Sequence, residues 1–450
     1  MELNRLFTRS LAWNALEAIC YQGLLLTHQL LLFHSVERSA YGLIGSLFSF
    51  AYLSVMVINL GFDISLAPFF QTATRSKQNF KKIFFVQLIP EYCLIGILSM
   101  LLLLLKGFIP IEWGSRYQLG SLVVGCLLLI AVFESIKKTL RAILQLSFIN
   151  KKTTVIEIAT IIGYIGMVWG CHALGAPLSL PVIFIPMVIT SAACCIALSW
   201  QVGTLYRQLP ESSNETVSTT LQLRILKNRF FNFLNQASHM VFSSNFLVPF
   251  FALQFGLNQA GILKLVSTIV YCVTIILQKV FGISSASVLS HIKESSLDNK
   301  RATFTVISNR LNHALIIIAT FFLLNFNTII GWSAQVSNPH TWHLLYLFFI
   351  ISFSESLFIA YEKFYITEEK ADHLFAFNLL VMGLMGFVLY HAQSIAPLAL
   401  LCAIITIRIA AFVGLSALSF YHWQLRPSYG INPWIAAGSL AFSTLFFALA

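Results

Sequence analysis

Four stretches of the chain carry polar side chains at helical spacing inside otherwise apolar runs. Asn14, Glu17, Tyr21 and His28 form one stripe, and Ser49, Tyr52, Asn59 and Asp63 a second. Asn232, Asn235, Gln236, His239 and Ser243 form a third, and Ser267, Tyr271, Thr274, Gln278 and Ser285 a fourth. Residues three, four or seven positions apart share a helix face, so each stripe is a row of donors and acceptors aimed one way. In lipid such rows are costly unless they meet each other or water. Four of them facing inward would line a polar lumen able to bind and pass a hydrophilic solute. The plainer alternative is helix-to-helix hydrogen bonding, worth about 0.6 to 2 kcal/mol per bond.

The ionisable residues sharpen this reading. Glu17, Asp63, Glu91 and Lys279 sit toward one end of their runs, while Glu355 and Arg408 lie nearer the middle. The carboxylates could hold a coupling Na⁺ or H⁺, and Lys279 could meet an anionic solute through charge-assisted hydrogen bonds. Against this stand an internal Glu355–Arg408 pair, snorkelling of Glu157 and Asp63 from a run's end, and simple packing of His28 and His239. The candidate cavity residues are Asn14, Glu17, Tyr52, Asn59, Asp63, Asn235, His239, Tyr271, Gln278, Lys279 and Arg408. No G-x-x-x-x-G-K-[ST] loop, H-E-x-x-H pair or Cys/His cluster is present, so neither ATP hydrolysis nor a metal site is expected. With no sizeable extramembrane segment for catalysis, the chain is expected to be a non-enzyme with no cofactor beyond a coupling ion.

These stripes need elements to hold them, and composition says which. Of the 450 residues 58% are hydrophobic and 10% charged, too little polar surface for a water-soluble globule of that size. Thirteen apolar runs fall near 11–33, 41–66, 83–105, 119–144, 155–174, 178–200, 231–253, 262–290, 313–332, 344–366, 374–391, 396–420 and 433–450. Each approaches the roughly 20 residues that cross the hydrocarbon core as a helix, and their continuity excludes an alternating β-barrel. The expected fold is all-α, a polytopic membrane protein of 12–13 transmembrane helices in two parallel six-helix lobes around a central polar cavity. The second, fourth and eighth runs are over-long and are expected to tilt or continue as helices beyond the membrane.

Orientation follows the basic residues. One side collects Arg5 and Arg9, Arg75 to Lys82, Lys137 to Lys152, Arg207 to Arg229, Lys293 to Arg310, and Lys363, Lys370 and Arg426. The other side has only Arg38, Lys106, Arg116 and Lys264, so the first side and the N-terminus are expected in the cytoplasm. The net charge of +11 is then accounted for by anionic lipid, with no nucleic-acid partner. The first run is too long for a signal peptide and reads as a retained span. All eight cysteines fall inside the runs, without a disulfide or zinc pattern.

The segment 206–230, with Pro210, Ser212, Ser213, Asn214, Ser218 and Thr219, reads as a linker between lobes 1–205 and 231–420, with 421–450 an extra apolar segment. A repeat supports the division. A shift of 219 positions lays Gly42 on Gly261, Tyr52 on Tyr271, Phe62 on Phe281, Ser65 on Ser284 and Ala67 on Ala286, with Asn59 on Gln278. Halves with an even number of spans are parallel repeats about an axis along the membrane normal.

The stretch Tyr41-Gly42-Leu43-Ile44-Gly45 through Asn59-Leu60-Gly61-Phe62-Asp63-Ile64-Ser65-Leu66-Ala67-Pro68 resembles the second span of Wzx-like polysaccharide-export flippases. These belong to the multidrug/oligosaccharidyl-lipid/polysaccharide superfamily. Asn258-Gln259-Ala260-Gly261-Ile262-Leu263 through Ile283-Ser284-Ser285-Ala286, and Arg141-Ala142-Ile143-Leu144-Gln145, are similar to other parts of that family. The resemblance implies two lobes, a cationic lumen containing Lys279, and alternating access. It further implies transfer of undecaprenyl-pyrophosphate-linked oligosaccharide across a bacterial inner membrane, with polysaccharide-assembly partners. Two features depart from it: the thirteenth apolar run, and the acidic Glu17 and Asp63 where an anionic solute favours cations. A drug or cation antiporter of the same superfamily would use Glu17, Asp63 and Glu91 for the cation. A membrane-embedded glycan polymerase or acyltransferase is a third reading. A major-facilitator transporter is disfavoured because Gln71 to Lys82 lacks the Asp and paired glycines expected there.

Overall fold

A computed structural model of the chain describes residues 2–104, 120–211, 217–293, 295–325, 339–392 and 396–425. The apolar run 433–450 and Arg426 lie outside them, as do the side chains of Asp63, Gln278 and Lys279.

Every regular element among the described residues is helical. The first half contains α1 (Glu2–Ser35), α2 (Arg38–Asn59), α3 (Phe62–Ser65), a 3₁₀ turn (Ala67–Phe69), α4 (Phe70–Thr74), α5 (Lys77–Leu104), α6 (Ser121–Leu146), α7 (Asn150–Ala173) and α8 (Leu180–Gln208). The second half contains α9 (Thr219–Met240), α10 (Ser244–Phe255), α11 (Leu257–His291), α12 (Leu297–Leu324), α13 (Pro339–Leu357), α14 (Ile359–Thr367), α15 (Ala371–Tyr390) and α16 (Pro397–Trp423). Among the described residues eight helices are long and apolar enough to cross a membrane: the parts of α1 and α12 at Thr8–Ser35 and Leu297–Phe322, together with α2, α7, α8, His343–Thr367, α15 and α16. Of the remaining long helices, α6 carries Glu134, Lys137, Lys138 and Arg141 in its second half, which lowers its hydropathy without shortening it.

Local chemistry sets the boundaries. Ser218 caps α9, its hydroxyl accepting the Leu221 N–H at 3.2 Å, so 219–230 of the expected linker is helix rather than loop. Gly256 at φ +87° separates α10 from α11. The second apolar run, 41–66, does not continue as one helix. Leu60 (φ 49°) and Gly61 (φ 69°) are both left-handed and turn the chain into the short α3. Gly61 suits this turn twice over, because a Cβ there would also lie 2.8 Å from the Phe233 nitrogen.

Within the first half α6 packs on α2 and α8, and α7 on α1 and α8. Within the second, α11 packs on α13, α9 on α15, and α13 on α16. The halves meet where α1 and α2 lie against α10 and α11, and one core of buried apolar side chains runs through this seam.

Candidate functional site

At one end of the seam, α2 and α11 cross at glycines. A Cβ on Gly42 would overlap the Leu257 carbonyl oxygen, and one on Gly261 would lie 2.7 Å from the Arg38 carbonyl oxygen. Further along the seam Asn14 Nδ2 donates to Ser284 Oγ at 3.1 Å, and Ser10 Oγ lies 3.3 Å from the same hydroxyl. At the other end Arg229 of α9 crosses into the first half. Its guanidinium donates to the Asn59 carbonyl at 2.9 Å and the Leu60 carbonyl at 3.2 Å, and lies 3.4 Å from Glu91. The backbone break after α2 frees those carbonyls to accept from Arg229 instead of closing another helical turn. Asn59 Nδ2 in turn donates to Thr139 at 3.1 Å, and Thr139 to Glu91 at 3.2 Å. Arg229 is only 2% exposed, so this tie is sealed from solvent.

A second cluster lies inside the first half. Glu134, Lys137 and Arg141 project from one face of α6 at spacings of three and four. Lys137 pairs with Glu134 at 2.6 Å and reaches Glu157 of α7 at 3.7 Å. Arg141 pairs with Glu17 of α1 and lies 3.8 Å from Glu157. Ser191 of α8 donates to Glu134 at 2.7 Å. Four helices are thereby joined through buried charge. Counting Glu91 and Arg229, the described buried groups comprise four carboxylates and three cations.

A third cluster lies inside the second half around Arg408 of α16, which is 1% exposed. Its guanidinium carbon sits 4.5 Å from the Phe242 ring centre and 4.7 Å from that of Phe358, a cation–π sandwich. Arg408 Nη1 is 3.0 Å from His239 Nδ1, while His239 Nε2 is 2.9 Å from Glu362 Oε1. Asn378 Nδ2 donates to Asn235 Oδ1 at 2.9 Å, and Asn235 to the Ala371 carbonyl at 2.8 Å, which ties α9 to α15 beside His239.

The structure thus distributes the expected cavity residues over three clusters. Asn14 and Asn59 stand at the seam. Glu17 is turned into the first half, and Asn235, His239 and Arg408 form one group in the second. Tyr52 packs beside the apolar core of the seam, and the Tyr271 hydroxyl lies 3.4 Å from the Ser244 nitrogen. Among the described residues a groove of about 700 Å³ opens on the flank of α6 and α8, lined by Phe133, Ile196, Trp200 and Arg207, away from the seam.

Three expectations are corrected. Lys137, Arg141 and Arg229, counted with the basic residues that anionic lipid would attract, are inside the protein, because carboxylates on neighbouring helices compensate their burial. Glu157 does not snorkel: it is 2% exposed between Lys137 and Arg141. His239, a cavity candidate for which simple packing is the plainer reading, bridges two charged groups. Sequence reading passed over Glu134, Glu362 and Asn378 as site residues. Only the Glu134/Lys137/Arg141 spacing on one helix face could have pointed to a site.

No protein-family model matches the sequence, and no curated protein does. Solved structures do resemble the fold. An outward-facing multidrug resistance MATE family transporter of the MOP superfamily aligns at TM-score 0.69 and 11% identity, covering 94% of this chain and 96% of that one. A MATE in complex with Br-NRF aligns at 0.63 and 11% identity, covering 95% and 98%. The MATE multidrug transporter DinF-BH, in a ligand complex, aligns at 0.55 and 14% identity, covering 93% and 95%. At such identities the likeness is one of architecture, and this chain is an all-α protein with the fold of the MATE transporters.

Proposed function

We propose that the chain is a membrane transporter that works by alternating access between its two halves. Its solute on this reading is an undecaprenyl-pyrophosphate-linked oligosaccharide, flipped across a bacterial inner membrane for surface-polysaccharide export. The observation carrying the substrate class is the charge arrangement. The carboxylates Glu17, Glu91, Glu134 and Glu157 each face a cation, so this acidic region offers little to a cationic solute. Arg408, by contrast, is buried with its Nε and Nη2 lacking hydrogen-bond partners among the described residues. A guanidinium with unused donors suits an anionic head group. Lys279 and Gln278 are proposed to complete the binding surface from α11.

Alternating access on this reading breaks one end of the seam at a time. The glycine crossing would part to open the outer side, and the Arg229 tie to open the cytoplasmic side. A carboxylate of this first-half cluster would hold the coupling Na⁺ or H⁺. Membrane lipid surrounds the helices, and polysaccharide-assembly proteins are the proposed partners.

The fold neighbours favour a second reading, a cation-coupled drug antiporter, since two of them are multidrug transporters. One experiment separates the two. Purified protein in vesicles is given a fluorescent undecaprenyl-pyrophosphate glycan or a cationic rhodamine dye, and movement across the bilayer is timed. Glycan transfer without rhodamine transfer supports the flippase. Rhodamine transfer driven by a Na⁺ or proton gradient, with the glycan static, replaces it by the antiporter.

A further inference from the structure

We infer that His239 is a proton-binding switch in the second half, whose protonation breaks its bond to Arg408 and so unties α9 from α16. The hydrogen bonds fix the protonation state. An arginine can only donate, so His239 Nδ1 must accept from Arg408 Nη1 at 3.0 Å. The ring of a neutral histidine carries one proton, which then sits on Nε2 and is donated to Glu362 Oε1 at 2.9 Å. Asn378 Nδ2, 3.4 Å from the same nitrogen, gives its shorter bond to Asn235 instead. His239 is therefore neutral in this arrangement, with a fixed tautomer.

A proton from water can add only at Nδ1, where it would point at the N–H of Arg408. Two donors and two positive charges then face each other at hydrogen-bond distance, and the contact must open. Imidazolium keeps its bond to Glu362, now strengthened by charge, so Arg408 is the group that moves. Its Nε and Nη2 have no hydrogen-bond partner among the described residues, and its guanidinium lies against the Phe242 and Phe358 rings, so the Nη1 bond to His239 is the polar tie that opens. Among the described residues the charged and titratable groups around the pair are Glu362 and Lys363 of α14, Glu355 of α13, and Tyr271 of α11. Opening the contact removes a tie between α9 and α16. One proton is thereby converted into a change of helix contacts, whatever the solute.

The full chain, with ¹⁵N-labelled histidine, would be placed in phosphatidylethanolamine/phosphatidylglycerol vesicles and its imidazole signals followed from about pH 8 to about pH 5. His239 is assigned by loss of its signal in His239→Gln or, should that variant fail to fold, by its dipolar contact with the Glu362 carboxyl carbon. The expected result is a single neutral Nε2–H tautomer at the alkaline end converting to imidazolium on acidification. Hydrogen exchange of Pro397–Trp423, corrected for the intrinsic pH dependence, should rise several-fold over the same interval, and the rise should vanish in His239→Gln or Glu362→Gln. A charged His239 throughout, an Nδ1–H tautomer at the alkaline end, or the same exchange rise in both variants would overturn the switch. Because neither readout uses a solute, failure here leaves the proposed transport activity untouched, and failure of that activity leaves the switch to stand.

Discussion

Gly42 and Gly261 occupy the same place in the two halves and also face each other across the seam. The 219-position shift that takes Gly42 to Gly261 takes Arg38 to Leu257 and Gly45 to Lys264. The contacts obey it: Gly42 abuts the Leu257 carbonyl, Gly261 abuts the Arg38 carbonyl, and a Cβ on Gly45 would lie 2.7 Å from Lys264 Cγ. A contact in which each member meets the counterpart of the other is isologous, and can arise only about a two-fold axis. The axis relating the repeats therefore passes through this crossing, and the absence of side chains at Gly42 and Gly261 lets the backbones of α2 and α11 approach.

A side chain at this crossing must push the helices apart. Gly42→Val and Gly261→Val are expected to lower stability by about 1–3 kcal/mol, the usual cost of overpacking. The control is Gly166→Val, whose added Cβ meets nothing within 4 Å. Thermal melts in one detergent check this. Equal melting of all three variants would mean that the crossing is loose.

Orientation can be tested at two sites on opposite ends of the helices. If the basic side is cytoplasmic, a membrane-impermeant maleimide added to intact cells should miss Lys77→Cys and label Leu174→Cys, a position 91% exposed between α7 and α8. Labelling of the first with protection of the second would invert the topology.

The helices and their repeat were legible because lipid-spanning helices need long apolar runs, and because equivalent contacts keep equivalent residues. What the sequence concealed were meetings between distant positions. Counting Lys and Arg near the ends of runs treats all of them as solvated, which serves for Lys152 but not for Lys137 or Arg141. Their carboxylate partners lie on α1 and α7, and nothing in the order of residues brings Glu17 or Glu157 to α6. The turn at Leu60–Gly61 was hidden for a related reason. An apolar run shows how much helix lipid will tolerate, but not where a neighbouring helix, here α9 with Arg229, offers the backbone a better partner.

Arg229 should govern that end of the seam. Arg229→Gln removes the charge at Glu91 and shortens the reach to the Asn59 and Leu60 carbonyls, so the two halves lose their deepest tie there. A permeant maleimide should then react with Leu60→Cys several-fold faster in the Arg229→Gln background than alone. An unchanged rate would show that the seam is closed at this end by other contacts, and Arg229→Lys should fall between the two because charge is kept while the paired donors are lost.

The cluster around Lys137 permits the sharpest energetic test. This ammonium stands between Glu134 at 2.6 Å and Glu157 at 3.7 Å, so Lys137→Met leaves two buried carboxylates facing an apolar side chain. Removing one partner of a buried pair typically costs about 3–5 kcal/mol, because the other charge stays desolvated. The methionine also fills most of the lysine stem's volume, which confines the effect to charge. Glu134→Gln in the same chain removes one of the stranded carboxylates while its amide can still accept from Ser191 Oγ, now 2.7 Å from Glu134. The double variant should therefore melt closer to the wild type than Lys137→Met does, with Glu157 still facing Arg141. The measurement is thermal unfolding of the four members of this double-mutant cycle at equal expression. Additive losses, with no recovery in the double variant, would mean that Lys137 acts through packing alone and that the buried charges do not sense one another.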